Sequence, residues 1–537
     1  MNQRLFYWSL TAALAGFLFG FDTVVISGAE KTIQELWGLS NGMHGLAISM
    51  ALWGTVLGSL VGGWPSDRFG RKSTLIAIGL LYFVSAVWSG LANDVWSFMV
   101  ARFIGGVGVG ISTVAAPLYI SEISPPDRRG RLAGMFQFNI VFGILVAFLS
   151  NYLIGKLMVD GGWRWMLGVE AVPAIIYTVM CFGIPKSPRW LIIQRGDRAS
   201  AIDVLGQTNP TATEQELDAL ADEIELSSRQ DATGGGERAK FWSRRLKTPI
   251  LLAFFVAFFN QLSGINAILY FAPRIFQLAG LGENAALLNS IGIGVTNLLF
   301  TFVGLYLIDR LGRRTLLYIG SFGYIASLGL CAWTFLSYAA QFDVANTAIS
   351  LQGAAGGLER ASGLQVRNEA DIAKLTGQRD AAIDAFVTAT TADAYDGAAA
   401  TITPSASTSE ITTATDSALA EAAASSGSGG AVVLLCIFSF IAAHAVGQGA
   451  VIWVLISEIF PNRHRAAGQA LGSFTHWIFA ATLTMVFPWM IGTFAPGYVF
   501  GFFCFMMVLQ LVWVATMVPE TKGVPLEKME ATLAARS

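Results

Sequence analysis

Residues 63–72 read GWPSDRFGRK, and the core of this stretch recurs at residues 309–314 as DRLGRR. The Asp of the second copy lies 242 residues after that of the first. A second pair, ISEI at residues 120–123 and again at 456–459, is 336 residues apart, so the two offsets differ by 94. The pattern indicates that the second half of the chain is a copy of the first, interrupted by an insertion. Parallel repeats of this kind are typical of membrane transporters.

The composition is that of a protein embedded in a membrane. Of 537 residues, 54% are hydrophobic and 13% are charged, whereas soluble proteins carry about 25% charged residues. With a mean hydropathy of +0.56, this balance excludes a soluble enzyme and favours a polytopic membrane protein. The formal net charge of -2 gives no reason to expect a nucleic-acid partner. The four cysteines lie in apolar runs and the four histidines lack the spacing of zinc ligands, so we expect no disulfide, metal or cofactor.

Twelve apolar runs are long enough to span a membrane as helices, which need about 20 residues each. They lie at about 6–28, 44–63, 73–92, 99–120, 132–154, 165–184, 249–272, 285–308, 315–338, 430–456, 466–490 and 498–518. We therefore predict an all-α membrane protein. Its expected parts are an N-terminal six-helix bundle (1–184), a partly helical linker (185–248), the first three helices of a C-terminal bundle (249–338), an insertion (339–429), the last three helices of that bundle (430–518) and a tail (519–537).

The loops that carry Lys and Arg predict the orientation of the chain. The basic clusters all occur in alternate, even-numbered connections between the runs, which places these loops and both termini in the cytoplasm. The insertion then faces outward. Its first part, through Val387, has moderate helical character, whereas 388–429 is rich in Thr, Ser and Ala and is predicted to be a linker or weakly ordered chain. A folded cap domain is the alternative.

Acidic and basic residues at the cytoplasmic helix ends are duplicated along with the loops. Such side chains can pair across helices in one conformation and separate in another, so the duplicated set predicts a cytoplasmic gate. The alternative is that the basic residues only fix the orientation of the loops. The predicted gate residues are Asp67, Arg68, Arg71, Glu122, Arg129, Asp309, Arg310, Arg313, Glu458 and Arg465.

Three ionisable residues, Asp22, Arg102 and Glu170, lie inside predicted spans of the first half. Charged groups are costly in the middle of a bilayer, and those present usually mark ion or substrate pathways. Burial and a nearby cation shift the proton affinity of an acid in opposite directions, so a mobile Arg102 would make Asp22 a switchable proton site. The alternative is a static ion pair.

Uncharged polar residues form a second set inside the spans. Carboxamides both donate and accept hydrogen bonds, as a ligand with many hydroxyl groups requires, and Trp rings suit the apolar face of a sugar. Singly, each amide is more often a contact between helices and each Trp an interface anchor. The density of amides in the seventh span argues for a ligand. The set comprises Gln137, Asn260, Gln261, Asn266, Tyr270, Asn297, Trp453 and Trp477.

The chain resembles the sugar porter family of the major facilitator superfamily, and most of all its bacterial proton-coupled sugar symporters. The resemblance covers nearly everything except 339–429 and rests on the two Asp-Arg-x-Gly-Arg loops together with several further motifs. These are Phe21-Asp22, PKSPRW at 185–190, NQLSGIN at 260–266, SEIFP at 457–461 and PETKG at 519–523. The resemblance implies the major facilitator fold, with twelve transmembrane helices in two six-helix bundles, a central sugar site and alternating access.

The resemblance also implies roles by position. Sugar-binding positions correspond to Gln137, Gln261, Asn266, Asn297 and Trp453, with Phe19, Tyr270 and Trp477 nearby, and proton-coupling positions correspond to Asp22, Arg102 and Glu170. Facilitative glucose carriers of the family have Asn in place of Asp22, so the acid favours symport. The chain departs from the family at Asn260 (usually Gln), Lys186 (usually Glu), Ala450 (usually Pro) and His476 (Gln in related xylose carriers). Asn260 and His476 bear on which sugar fits.

We therefore expect a transporter of the bacterial inner membrane that imports a monosaccharide, either a hexose or a pentose, together with protons. It should lie in the lipid bilayer as a monomer and need no cofactor. A facilitative sugar uniporter on the same fold is the first alternative, and a membrane sugar sensor that signals through the insertion or the linker is the second. No arrangement of nucleophile, base or metal ligands predicts an enzyme.

Overall fold

The computed structural model describes residues 3–125, 128–158, 161–233, 241–363, 369–461 and 464–524. Within these ranges the chain is helical without a β-strand, and twelve helices are long and apolar enough to cross a membrane. They are span 1 (Gln3–Gly28), span 2 (Asn41–Val61), span 3 (Arg71–Leu91), span 4 (Val95–Ile123), span 5 (Gly134–Leu157), span 6 (Gly162–Phe182), span 7 (Lys247–Tyr270), span 8 (Glu283–Leu311), span 9 (Arg313–Ser337), span 10 (Gly429–Ile459), span 11 (Arg465–Thr493) and span 12 (Pro496–Thr516). Each overlaps a predicted run, so the prediction of an all-α protein with twelve spans is confirmed.

Local sequence signals set where several spans begin. Asp94 caps span 4 by accepting hydrogen bonds from the backbone N–H groups of Trp96 and Ser97. Spans 3 and 9 each begin after a glycine, Gly70 and Gly312, with a φ of +88° that residues with a Cβ atom rarely adopt. The same turn stands at the same place in both copies, so the repeat in the sequence is also a repeat of backbone structure.

The spans form two bundles of six. Spans 1 to 6 pack around one another, as do spans 7 to 12, and the bundles meet along span 2 against span 11 and along span 5 against span 8. Spans 2 and 11 come so close that a Cβ atom on Gly45 would overlap the carbonyl oxygen of Met485. The predicted pair of six-helix bundles is therefore confirmed.

The two ends of the bundles carry different segments. One end, the basic face, carries the turns at 67–71 and 309–313 and the linker between the bundles. The linker holds the helices Arg198–Thr208 and Glu214–Thr233 and is attached to the first bundle by Trp190, whose indole N–H donates to the carbonyl of Asp67 at 2.8 Å. The opposite end, the insertion face, carries the residues between span 9 and span 10.

The insertion is folded, and the prediction of a linker or weakly ordered chain over 388–429 is wrong for residues 408–426, which form a helix, whereas 391–407 contain no helix or strand. Its three helices are Ala339–Gly363, Glu369–Thr390 and Thr408–Ser426. They enclose an apolar core of their own, which includes Leu351, Phe386 and Ile411. The helical character predicted through Val387 is confirmed. The insertion begins and ends at one place, because Gly429 lies against the rings of Tyr338 and Phe342.

Composition does not predict the third helix of the insertion, because the helix consists mainly of small residues. Ser407 and Glu410 make a capping box at its start. One face of the helix is buried at helical spacing by Ile411, Thr415, Ala418 and Ala422. Alanine and threonine on that face allow close packing, so a stretch with the composition of a linker completes a small core.

Candidate functional site

A buried cluster of charged side chains lies at the centre of the first bundle. Arg102 of span 4 donates from Nη1 to Asp22 Oδ1 at 2.5 Å and from Nη2 to the Asp22 carbonyl at 3.1 Å. Both side chains are almost fully buried, with 1% and 2% of their surfaces exposed. The predicted neighbours Asp22 and Arg102 are thus in direct contact.

Glu170 completes the charged cluster from span 6. It stands between the helices Gly162–Gly168 and Ala171–Phe182, is buried, and interacts with both Asp22 and Arg102. Its Oε1 has no hydrogen-bond partner among the described residues. One guanidinium is therefore buried with two carboxyl groups, and such a cluster is neutral only when one of the carboxyls holds a proton.

A second polar cluster, here called the amide cluster, lies in the second bundle and carries no formal charge. Asn266 Nδ2 donates to Gln261 Oε1 at 2.8 Å, and Gln261 Nε2 donates to Asn260 Oδ1 at 3.0 Å. The same Nε2 lies 3.1 Å from Nε2 of His476 in span 11. These groups form hydrogen bonds with one another, and amides of this kind can form the same hydrogen bonds with the hydroxyl groups of a sugar.

A break in span 7 brings the amides together. The first helix of the span ends at Leu262 and the second begins at Ile265, with Gly264 between them at a φ of +87°. This left-handed conformation suits glycine and changes the direction of the helix. As a result, Gln261 before the break and Asn266 after it reach the same point.

Aromatic rings border the amide cluster. The His476 ring lies 5.2 Å from Trp453 and 4.8 Å from Trp477, measured between ring centroids. Trp477 in turn contacts Phe19 of span 1 at 5.6 Å, across the interface between the bundles. Flat rings around polar groups form the surroundings that a sugar ring requires.

Tyr270 of the second bundle lies near the charged cluster of the first. It belongs to span 7, four residues after Asn266, and it is buried. It is close enough to Asp22 and Arg102 of the first bundle to interact with them electrostatically. Span 7 therefore carries the amides and also places a tyrosine near the buried charges.

Two predicted sugar-binding residues make no hydrogen bond with the amide cluster among the described residues. Gln137 of span 5 and Asn297 of span 8 are half-buried, and within the described part of the chain neither forms a hydrogen bond with the cluster. Spans 5 and 8 meet at the second line of contact between the bundles. Sequence position alone could not distinguish these two amides from those of span 7.

On the basic face, the first bundle holds a compact ion-pair network. Arg71 Nη2 lies 2.9 Å from Glu122 Oε1, and Arg71 Nη1 lies 3.1 Å from the exposed carboxylate of Asp67. Ser187 of the linker donates to the other oxygen of Glu122 at 2.5 Å. Sequence reasoning missed Ser187, although it lies within the PKSPRW motif.

The second bundle repeats this network. Arg313 Nη2 lies 2.8 Å from Glu458 Oε1, and Arg313 Nη1 lies 3.3 Å from Asp309 Oδ1. Thr521, within the PETKG motif, donates to Glu458 Oε2 at 2.6 Å and takes the place of Ser187. Each network therefore lies within one bundle.

Other predicted gate residues have different surroundings. Arg68 is exposed, and the guanidinium of Arg310 lies over the ring of Tyr306, 4.1 Å from its centroid. Arg465 is the first residue of span 11. The side chain of Arg129 lies outside the described residues.

One difference between the two networks concerns a helix cap. Glu520 accepts hydrogen bonds from the backbone N–H groups of Arg313 and Arg314, at 3.0 and 3.1 Å, and so caps the start of span 9. The corresponding residue of the first copy, 334 positions earlier, is Lys186. A lysine has no acceptor, so the start of span 3 lacks this cap.

Comparisons with known proteins agree with this architecture. The sequence profile of the family described as "Sugar (and other) transporter" matches residues 8–354 and 409–533 and leaves out the middle of the insertion. The chain is 29% identical to the arabinose-proton symporter of Bacillus subtilis, over 97% of this chain and 93% of that protein. It is 32% identical to a glucose transport protein of Synechocystis sp., over 96% and 95% of the two chains.

A solved relative is the xylose transporter XylE of Escherichia coli. Its inward-open structure is 27% identical and superposes with a TM-score of 0.69, covering 98% of this chain and 99% of that one. Its complex with 6-bromo-6-deoxy-D-glucose, described as a major facilitator superfamily proton:xylose symporter, is 28% identical with a TM-score of 0.65 and covers 99% and 100% of the two chains. The major facilitator fold is confirmed.

Proposed function

Because the chain belongs to the sugar transporter family, we propose that it imports a monosaccharide together with protons by alternating access. Membership of this family makes it a multi-pass transporter rather than an enzyme. In this proposal it works as a monomer in the bacterial inner membrane with the basic face and both termini in the cytoplasm. The observation that carries the proposal is the buried Asp22–Arg102–Glu170 cluster, which requires one proton for neutrality and lies beside Tyr270.

The amide cluster supplies the proposed sugar site. Gln261, Asn266 and Asn260 would bind hydroxyl groups, with the rings of Trp453, Trp477 and Phe19 against the apolar parts of the sugar. Gln137 and Asn297 would join the site when the bundles close around the ligand. His476 replaces a Gln of related xylose carriers and holds Gln261 in place. Imidazole is flatter and less extended than a Gln side chain, so it leaves room for a different arrangement of hydroxyl groups.

Coupling follows from the position of Tyr270. Protonation of Asp22 weakens the hold of Arg102 on that residue, and in this proposal span 7 senses the change through Tyr270. Sugar and proton then favour the same conformation, as a symporter requires. The gate networks on the basic face belong to this proposal as the parts that stabilise each bundle while the two bundles move.

A pH measurement on vesicles tests the proposal. The protein is reconstituted in lightly buffered liposomes, and external pH is recorded while hexoses and pentoses are added one at a time without an imposed gradient. Alkalinisation of the medium on adding one sugar is the expected result, and it would name the substrate as well. Liposomes without protein and liposomes with a protonophore are the controls.

The alternatives give different signals in the same vesicles. Tracer exchange of a sugar without a pH change would favour the facilitative uniporter and leave Asp22 a structural role. Saturable sugar binding without either flux would favour a sensor. We favour the symporter because a uniporter has no need for a buried acid pair with one excess negative charge.

A further inference from the structure

A buried ion pair joins the two bundles at the insertion face. Glu30 begins the short helix Glu30–Leu36 after span 1, and Arg274 lies in the short helix Ala272–Leu278 after span 7. Arg274 Nε donates to Glu30 Oε1 at 2.8 Å and Arg274 Nη2 donates to Oε2 at 2.7 Å. Glu30 is 1% exposed. A two-pronged contact of this kind is stronger and more directional than a single hydrogen bond.

Neighbouring side chains of the first bundle support the pair. His44 of span 2 lies 2.8 Å from Glu30 Oε2 through Nε2, and Gln34 accepts a hydrogen bond from Arg274 Nη2 at 2.6 Å. Burial by itself would raise the pKa of the Glu30 carboxyl, but Arg274 and His44 outweigh burial and hold that pKa below its usual value. The carboxyl is therefore charged at neutral pH.

A second polar contact crosses beside the first. Lys31, the neighbour of Glu30, donates to Gln277 Oε1 at 2.9 Å, one helical turn after Arg274. On the same face, spans 2 and 11 approach until the backbones at Gly45 and Met485 touch. The bundles are thus held together tightly at this end.

The basic face offers a contrast. Arg71–Glu122 is also a buried pair and Arg313–Glu458 is a half-buried one, but each has both partners in the same bundle. Relative motion of the bundles leaves those pairs intact, whereas it must separate Glu30 from Arg274. A pair that breaks on opening is a part of the transport cycle and not only of the fold.

We propose that Glu30 and Arg274, supported by His44, form a latch that holds the insertion face closed and that must open in each cycle to admit substrate. The inference rests on the proposed alternating access. Opening transfers both charges into water, which repays much of the lost attraction, so the latch can be strong and still reversible. Neutralising one partner leaves the other charged and unpaired in the closed state. Closure is then disfavoured, and the open state gains population.

Thiol labelling in intact cells tests the latch without any substrate. The four cysteines, Cys181, Cys331, Cys436 and Cys504, are replaced by Ala, and Phe19→Cys is introduced as a reporter between the bundles. A membrane-impermeant maleimide then reports access to Phe19→Cys from outside. An exposed cysteine at Thr413→Cys in the insertion must label first, which verifies that the insertion face is external.

The expected result is faster labelling of the reporter when either partner is neutralised. Glu30→Gln and Arg274→Gln should each raise the labelling rate about ten-fold. Asp222→Asn removes a carboxylate that is paired with Arg198 within the linker, so the reporter should label at the parent rate in this control variant. Arg274→Lys keeps the positive charge but cannot donate to both oxygens of Glu30 at once, so it should raise the labelling rate about three-fold. If the neutral variants do not fold, Arg274→Lys is tested in their place.

Two outcomes would overturn the latch. The first is a parent labelling rate in Glu30→Gln, or in Arg274→Lys where only that variant folds. The second is an equal increase in Asp222→Asn, which would indicate a general loosening of the protein. Neither outcome depends on sugar, so a failure of the proposed function and a failure of the latch are separate results.

Discussion

The two bundles share one frame but hold different chemistry at its centre. The first bundle buries the charges of Asp22, Arg102 and Glu170, whereas the second buries the uncharged amides around Gln261. The two copies therefore share a scaffold, and the proposed proton coupling and sugar binding are divided between them.

Neutralising the acid of the first bundle should have the largest effect. We expect Asp22→Asn to abolish sugar accumulation against a gradient and to leave equilibrative exchange, because an amide cannot carry the coupled proton but still accepts from Arg102. Uphill uptake and counterflow in the same vesicles measure the two activities. Asp203→Asn, an exposed carboxylate of the linker, is the control and should behave as the parent. Uphill uptake in Asp22→Asn would show that the first bundle does not hold the coupling site.

Truncating an amide of the second bundle should impair binding and spare coupling. Gln261→Ala removes the hydrogen-bond partner of Asn266 and should raise the dissociation constant for sugar about ten- to a hundred-fold, because buried polar groups lose their partners. Equilibrium binding of radiolabelled sugar measures the change. Gln137→Ala in the first bundle is the matched variant, and we expect it to lower the affinity for sugar less than Gln261→Ala does. An equal loss would mean that the sugar site is shared evenly by both bundles.

Restoring the missing cap should make the two basic-face networks more alike. Lys186→Glu places a carboxylate at the start of span 3, where Glu520 stands at the start of span 9. A negative charge there should stabilise the first bundle by about 0.5–1 kcal/mol, a rise in Tm of about 1–2 °C. Thermal unfolding in detergent measures the shift, and Glu520→Lys should lower Tm. If Tm changed in the same direction in both variants, positions 186 and 520 would not play equivalent roles in the two copies.

Removing the insertion should have the smallest effect on transport. Because its helices have their own core, deletion of 345–425 should leave sugar uptake within about two-fold of the parent, as expected for a separately folding unit. Initial uptake rates normalised to the amount of protein in the membrane give the comparison. Loss of sugar response with flux retained in the deletion would point to a sensory role for the insertion.

Much of the frame could be predicted from sequence because strong physical constraints determine it. A spanning helix needs a long apolar run, and a buried acid needs a cation, so the spans and the contact of Asp22 with Arg102 follow from the residues. The latch could not be predicted in this way. Glu30 and Arg274 are 244 positions apart at helix ends, where charged residues are common, and only the packing of the bundles brings them together.

Details that depend on side-chain direction or small residues also escaped prediction. Gln137 and Asn297 have the same chemistry as Gln261, but among the described residues neither forms a hydrogen bond with the amide cluster. The helix Thr408–Ser426 has a linker-like composition, and only its buried spacing distinguishes it from one. Composition reports how much apolar surface a segment has, whereas packing depends on where along the helix that surface lies.

The neighbouring ends of the insertion have a practical consequence. Gly429 touches Tyr338 and Phe342, so the chain leaves the second bundle and returns to it at nearly the same point. Any domain with adjacent termini could be grafted there without pulling span 9 and span 10 apart. The junction is therefore a suitable insertion site for a fluorescent protein or an antibody epitope. Such an insertion would tag the transporter and leave its membrane-spanning helices unaltered.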